Sequence, residues 1–542
     1  MAIERGSEAI PKGQLVEVPA GPSRRMSRRA LLRRGGGMLG AGALAVAGSG
    51  RAVLAGGRST PARPAIRAGS SEAVLTASTV PPMYRSAPTL VPPRLQVSVP
   101  RTPSTAGLLL LTPSLLSTNK APSNAATVAA GNGQQGVLVT DLRGEPVFFK
   151  PTTQTATNLQ VQRYQGKPVL TYWTGNVVNG IGYGTGHVLD TSYREIVTIH
   201  AGNGLQEDLH ELTLTPEGTA LITAYRQTRT DTSAIGGTKA GSVLEGVVQE
   251  IELSTGKVVF EWSSLAHVPV NESYVRASGK GAIDYFHINS ISLWDPSSLL
   301  LSSRHTWTVY CVSRTTGAIL WRLGGKRSSF TMGPGTQFSW QHHARRLGSS
   351  EQLSLFDDGT NGIAPGGEPR SRAIVVTLDT GAHRAALARA VTHPAGLLAP
   401  FEGSVQLLDD GHLFVGWGGE PYSSEFDGQG RLVLDARFPT NDQSYRAFRS
   451  PWHAAPATPP AVALEKDGVG GYAVYVSWNG ATEVVDWQVL TGASPASLAP
   501  VATVPRAGFE TAITVHPSGS YLAVAGLDAT GRRLGMSGVL KA

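Results

Sequence analysis

The chain has 542 residues, of which 41% are hydrophobic and only 16% charged, with 64 glycines and 35 prolines. That is long for one ordinary core, and the glycine and proline content favours many short strands joined by turns. The formal charge of +8 sits at the start, where residues 1–70 carry twelve Lys/Arg against three Asp/Glu; the near-neutral remainder excludes nucleic-acid binding by net charge.

The leader Ser27-Arg28-Arg29-Ala30-Leu31-Leu32-Arg33 resembles a twin-arginine export motif. A mildly apolar stretch from Met38 to Gly48 follows, and Val53-Leu54-Ala55 suits a signal peptidase site. Residues 1–55 are therefore expected to be a signal peptide. The partner would be the twin-arginine machinery and the destination periplasmic, cell-envelope or extracellular. Residues 56–83, rich in Ala, Ser, Thr, Pro and Arg, read as a disordered linker before one domain over 84–542. No body segment has the long apolar run of a membrane helix, so no membrane span is expected in the mature protein. The single cysteine, Cys311, leaves neither a lipid-anchor site nor an intramolecular disulfide.

From Tyr84 onward one strand type recurs: a polar turn with Gly or Asp, then an alternating apolar strand. It appears as DLRGEPVFF (141–149), DTSYREIVTI (190–199), ELSTGKVVFEW (252–262), SRTTGAILW (313–321), LDTGAHRAAL (378–387), FDGQGRLVL (426–434) and, more loosely, LTGASPASL (490–498). Seven occurrences at roughly 50–60 residue spacing indicate one supersecondary unit used repeatedly. Between them lie strand–turn–strand segments such as LHELTLTPEGTALITAY and GSVQLLDDGHLFVGW. The expected fold is all-β: a β-propeller of six or seven blades, seven by this count, with Thr511–Gly526 closing the ring against Gly107–Lys150. A pair of packed β-sheets is the alternative.

Candidate chemistry concentrates between Asp284 and Asp357. In DYFHINSISLW, His287 and Asn289 are two apart and share a strand face. Asp295-Pro296-Ser297-Ser298 is a plausible turn. If Trp294 and Leu299 close that hairpin, Asn289 pairs with Arg304, and His287, Asn289 and Arg304 together suit an anion. His210 in DLHELTLTPEG, His287 in DYFHINSIS and His342 in SWQHHARRL each open the inner part of a unit, so three units offer a histidine to a common axis.

Other chemistries fit less well. Three histidines suit zinc or copper, but no HExxH spacing occurs and Arg304 on the same face would repel a cation, so no metal is expected. Gly324-Gly325-Lys326 is not a P-loop, because Leu320 stands where the first glycine is required. Ser302-Ser303 lacks a nucleophile-elbow setting. Asp357-Asp358-Gly359 is either a strand-ending turn or a catalytic element. Trp262, Trp294, Trp321 and Trp417 read as packing between strands.

The order of these segments resembles the arylsulfotransferase (arylsulfate sulfotransferase) family, in its actinobacterial and fungal branch. The resemblance runs from YRSAPTLVPP at Tyr84 through VLTYWTGN, DLHELTLTPEGTALITAY, QEIELSTGKVVFEW, DYFHINSI, SSRHTWTVY, ILWRLGGKRSSF, QHHARRL and LFDDG to VSWNGATEVVDW and GFETAI. It implies a propeller, six-bladed in the best-known members. It also implies sulfuryl transfer from a phenolic sulfate ester to a phenol, by a ping-pong route through a sulfohistidine, without the nucleotide donor PAPS or another cofactor. Carried onto this chain, His342 of the Gln-His motif is the nucleophile, and His210, His287, Asn289 and Arg304 supply the rest of the site. One departure is Asp358, where relatives usually have Asn. Another is the doubled His342-His343, whose side chains would face opposite ways, leaving one to attack.

The chemistry is consistent with that implication. Sulfuryl transfer, like phosphoryl transfer, is governed by positioning and charge stabilisation, and a neutral imidazole is a competent nucleophile. Arg304 would clamp the sulfuryl oxygens, Asn289 would add a donor, and His287 or His210 would act as general acid–base. A non-catalytic ligand-binding propeller and a metal-dependent hydrolytic or redox propeller are the competing readings.

Overall fold

The computed structural model describes residues 83–99, 107–115, 133–279, 281–359, 370–438, 442–468 and 470–542. The expected signal peptide and all but the last residue of the expected linker lie outside them. Strands, almost all paired antiparallel, dominate the regular structure of the described chain; its one α-helix, Ser264–His267, is a single turn.

Burial grades outward through each sheet. In the unit that carries Arg304, Ile288–Asp295 and Ser298–Ser303 are buried along almost their whole length, so both of their faces pack against neighbouring units. Outer strands such as Lys257–Ser263 and Arg384–Val391 alternate between exposed and buried residues, as a strand with one wet face must. Apolar clusters fill the space between successive sheets, for example Leu299, Leu301 and Tyr310 against Trp262, Val248 and Phe286. Trp262, Trp294 and Trp417 are buried in such clusters and Trp321 packs against one, as the sequence suggested.

The innermost strands form a closed ring: Thr155–Tyr164, Glu207–Leu214, Ile288–Asp295, His342–Arg346, Ser404–Leu407 and Asp442–Ser450 each touch the next, and the last returns to the first. The fold is a β-propeller. Closure is double. Asp442–Ser450 pairs with Leu108–Leu115, matching Leu110 to Phe448, and so gives an innermost strand to a sheet otherwise drawn from the start of the domain. Conversely, Gln96–Val99 pairs with Leu432–Arg437 as the outer edge of the sheet that begins at Ser404–Leu407.

Closure by Thr511–Gly526 is thereby overturned. Glu510–Val515 alternates between buried and wetter positions, whereas Asp442–Ser450 is buried almost throughout, which an innermost position demands. Residues 461–541, including the loosest recurrence at 490–498, form two further sheets that share a core of Val474, Val476, Trp478, Trp487, Val489 and Val524. No helix among the described residues is long and apolar enough to cross a membrane.

Candidate active site

His210, His287 and His342 lie at or near the starts of three successive innermost strands, and each turns Nδ1 to a carboxylate. Asp208, two residues before His210, receives that residue's backbone N–H (3.1 Å) and Nδ1 (2.6 Å). Asp284, three before His287, is bonded in the same way at 3.0 and 2.5 Å. His342 draws its carboxylate from the neighbouring strand: Asp358, just past Gln352–Asp357, lies 3.1 Å from Nδ1. Holding Nδ1 on a carboxylate orients the ring and leaves Nε2 as the working atom. The rings of His210 and His287 meet edge to face with centroids 4.8 Å apart. The tip of the long hairpin Lys167–Leu189 reaches the same place, since a Cβ added at Gly180 would sit 3.7 Å from His287 Cε1.

The expected strand register is not observed. Ile288 pairs with Ser303 and Ser290 with Ser302, with a bulge between, so Asn289 has no partner across the hairpin. Arg304 instead donates its backbone N–H to the carbonyl of His287 (2.9 Å). His287 itself has φ +51°, which takes it out of the strand's two-residue alternation. Asn289 is fully buried, and its Nδ2 donates to the carbonyl of Gln341 (2.7 Å). Gln341 in turn donates Nε2 to Ser302 Oγ and the carbonyls of Ser303 and Thr308. The structure therefore places Asn289 at the joint between two units, holding the residue before His342, rather than as a free donor beside Arg304.

The Arg304 guanidinium lies over the Trp340 ring (4.7 Å), donates to the carbonyl of Pro400 (2.8 Å) and stands 3.8 Å from Asp358 Oδ2. Arg304 and His342 thus share one carboxylate. His342 is almost wholly buried, and its Nε2 accepts the backbone N–H of Glu402 (3.3 Å). An amide N–H can only donate, so Nε2 carries the lone pair and Nδ1 the proton. Burial, reinforced by the positive charge of Arg304, holds His342 well below the usual histidine range. At neutral pH the ring is uncharged. Burial likewise lowers His287 despite Asp284. Burial raises Asp284, but His287 and His305 outweigh that and bring its carboxyl to about 2.

Beneath the histidines lies a buried ion network. Glu211 accepts from Arg345 (2.6 Å) and, with both oxygens, from Arg446 (3.3 Å). The other arm of Arg446 donates to the carbonyls of His210 and Asn289 (2.8 Å each). One guanidinium ties together the strands that carry two of the site histidines.

His343 faces elsewhere, as its place after His342 implied. At φ +55°, within the bulge between His342 and Arg345, its ring packs on Phe448 and Nδ1 accepts from Val405 N–H (3.3 Å). It lines a separate cavity of about 580 Å³ with Arg345, Leu347, Gln406 and Leu408. None of the other site histidines borders that cavity. Lys326 of the Gly-Gly-Lys sequence donates to the carbonyls of Asn271 and Ser273, a structural use.

Several site residues escaped the sequence reading. Asp208 and Asp284 precede their histidines closely, so DLH and DYFH carried a signal. His305, whose Nδ1 donates to the Asp284 carbonyl (2.5 Å), is brought down to about 3 by burial. Nothing in the sequence linked Asp358, Pro400 or Glu402 to His342. Among the described residues, Asp284, His287 and His305 each offer a ligand atom within 4.8 Å of the others, as do Asp410, His412 and Glu425 away from the site histidines. Nδ1 of His287 is committed to the Asp284 carboxylate and Nδ1 of His305 to the Asp284 carbonyl, which leaves Nε2 of each ring as the atom a cation could take.

A model of the arylsulfotransferase (ASST) family matches residues 160–439, just over half of the chain. The chain belongs to the arylsulfotransferase family. The match spans His210, His287, Asn289, Arg304 and His342 together with Asp208, Asp284, Asp358 and Glu402, and it assigns the chain to arylsulfotransferase-type sulfuryl transfer in general. No curated protein matches it. Similar solved structures include a protein of unknown function from Bacteroides caccae, 13% identical over 64% of this chain and 99% of that one, with a TM-score of 0.38. Others are a putative 6-phosphogluconolactonase from Bacteroides fragilis (11%, 76% and 99%, 0.32) and the β-propeller domain of Myceliophteria thermophila Cps50 (Swd1) (10%, 59% and 94%, 0.30). At such scores none bears on the function of this arylsulfotransferase, and its fold rests on its own strand pairing.

Proposed function

We propose that this arylsulfotransferase moves a sulfuryl group from an aryl sulfate ester to a phenolic acceptor, without PAPS, through a sulfohistidine at His342. One observation carries the reading: His342 is a buried, neutral imidazole whose lone pair is on Nε2 while Nδ1 is held by Asp358. In the first half-reaction the Nε2 lone pair attacks sulfur, the S–O(aryl) bond breaks, and its electron pair leaves with the aryl oxygen. In the second, the acceptor oxygen attacks sulfur, the N–S bond breaks, and its pair returns to Nε2. Arg304, beside the same carboxylate, presents a fork of N–H donors to the sulfuryl oxygens. Nδ1–H of the sulfohistidine keeps its hydrogen bond to Asp358, which orients the ring through both half-reactions.

His210 and His287 face the transfer from the adjoining units. Each has Nδ1 on a carboxylate, and no partner for Nε2 is present among the described residues. The test is intact-mass and peptide mapping after brief exposure to 4-nitrophenyl sulfate. A gain of one sulfuryl group on His342, absent in His342→Ala and discharged by added phenol, is the expected result. An adduct on another residue, or turnover by His342→Ala at the wild-type rate, overturns the assignment. Strong inhibition by chelators would instead favour the set formed by Asp284, His287 and His305.

A further inference from the structure

We propose that Glu402 is the proton-carrying carboxyl of the transfer, donating to the departing aryl oxygen and then accepting the proton of the incoming phenol. This rests on His342 as the sulfuryl carrier. The loop that bears Glu402 borders both halves of the sulfuryl site: the Pro400 carbonyl accepts from Arg304 (2.8 Å), and the Glu402 amide donates to His342 Nε2 (3.3 Å). No other described residue is bonded to the atom that attacks.

The backbone is held there against its preference. Glu402 has φ +70°, a left-handed conformation uncommon for a residue with a side chain. Gly403 follows at φ +104°, where an added Cβ would come within 2.4 Å of the Phe356 ring, so the chain is pressed against the neighbouring sheet. Strain of this kind clusters where a side chain has been aimed for use.

The side chain has no structural employment. Glu402 is half-buried, yet Oε2 is enclosed and has no hydrogen-bond partner among the described residues. The titratable groups around it are Asp358 and Tyr445, with His342 beyond its amide and Arg304 bonded to Pro400 of the same loop. Among the described residues no cation pairs with it, and burial pushes its carboxyl up to about 8. At neutral pH it holds a proton; burial raises the neighbouring Asp358 as well, but that carboxyl is engaged by His342 Nδ1 and Arg304. His287 has its proton on Nδ1, committed to Asp284, and burial keeps its ring uncharged, so its Nε2 has no proton to give.

The steps balance. As the S–O(aryl) bond breaks, the oxygen takes the Glu402 proton and leaves as a neutral phenol, and Glu402 becomes a carboxylate. As the acceptor oxygen attacks the sulfohistidine, its proton passes to that carboxylate while the N–S electron pair returns to His342. One carboxyl serves both half-reactions, and no other reactant is needed.

The test uses the full chain and a series of aryl sulfates running from 4-nitrophenyl sulfate to phenyl sulfate, with the first phenol release followed in wild type and Glu402→Gln. A good leaving group needs little protonation and a poor one needs much. The expected loss in Glu402→Gln is a few-fold for the nitrophenyl ester and about 100-fold or more for the phenyl ester. Glu402→Asp, which keeps the acid, recovers part of the phenyl sulfate rate. The alkaline fall in that rate near pH 8 disappears in Glu402→Gln. Equal losses across the series, or none, overturn the role of Glu402 while wild-type labelling of His342 leaves the carrier standing. A wild type that takes up no sulfuryl group from any ester overturns both.

Discussion

Nδ1 of His342 lies 3.1 Å from the carboxylate of Asp358, a residue sixteen positions later that stands 3.8 Å from Arg304. That single side chain sets the tautomer of the proposed carrier and the place of the proposed anion clamp. Replacing it by alanine frees both. Asp358→Ala is expected to lower kcat about 10- to 100-fold. Asp358→Asn, whose amide oxygen still accepts from Nδ1–H, should retain most of the rate, as steady-state kinetics with a chromogenic ester will show.

The pH dependence follows from burial. His342 must be neutral to attack, and its basicity is held well below the ordinary histidine value, so sulfuryl uptake should persist to lower pH than a solvent-exposed histidine would permit. Burst amplitudes measured from neutral pH downward should stay flat through pH 6.5 and fall only at lower pH.

Stability carries the same sign. His287, His305, His342 and His343 all have folded-state values depressed by burial. The unfolded chain therefore binds protons that the folded chain refuses once pH drops below about 6.5, and stability falls with pH from there. Each histidine contributes about 1.4 kcal/mol per pH unit until its own folded value is reached. His343→Gln, which keeps an acceptor for Val405 and has nothing to titrate, should make the acid slope of denaturant unfolding measurably shallower.

Arg446 is a structural keystone beneath the site. Its removal leaves Glu211 with Arg345 alone and strips a donor from the carbonyls of His210 and Asn289. Arg446→Met is expected to cost about 3–5 kcal/mol of folding stability, read from chemical denaturation. Adding Glu211→Gln to that variant should deepen the loss, because it leaves the Arg345 guanidinium without its carboxylate.

The leader remains a proposal of its own. Residues 1–55 fused to a reporter should be exported by cells that have the twin-arginine system, and Arg28→Lys with Arg29→Lys together should leave the reporter in the cytoplasm. Export of the paired-lysine fusion at the normal rate would refute the twin-arginine assignment.

Much of the fold was legible in the sequence because its signal is periodic. Turn-and-strand segments such as ELSTGKVVFEW and SRTTGAILW repeat the same exchange of polar turn for apolar strand, and they name the outer strands of successive sheets. Ring closure was not legible. It depends on which late strand can be buried on both faces, and Asp442–Ser450, read as DQSYRAFRS, looks polar until Glu425, Gln406 and Ser404 are seen to meet Arg449 and Ala447.

The site divides along the same line. The sequence by itself determined which histidines and which arginine gather at one end of the propeller, since each opens or adjoins an innermost strand at a recurring position. It also placed Asp208 and Asp284 within three residues of the rings they hold, where a local turn can bring them together. Tertiary structure alone decided that Asn289 braces Gln341, that Arg304 answers His287 across the bulge, and that Asp358 and Glu402 take the two nitrogens of His342. Those contacts join neighbouring strands and separate units. A bulge or a left-handed residue shifts them by one position, and a two-residue alternation read from sequence does not register that shift.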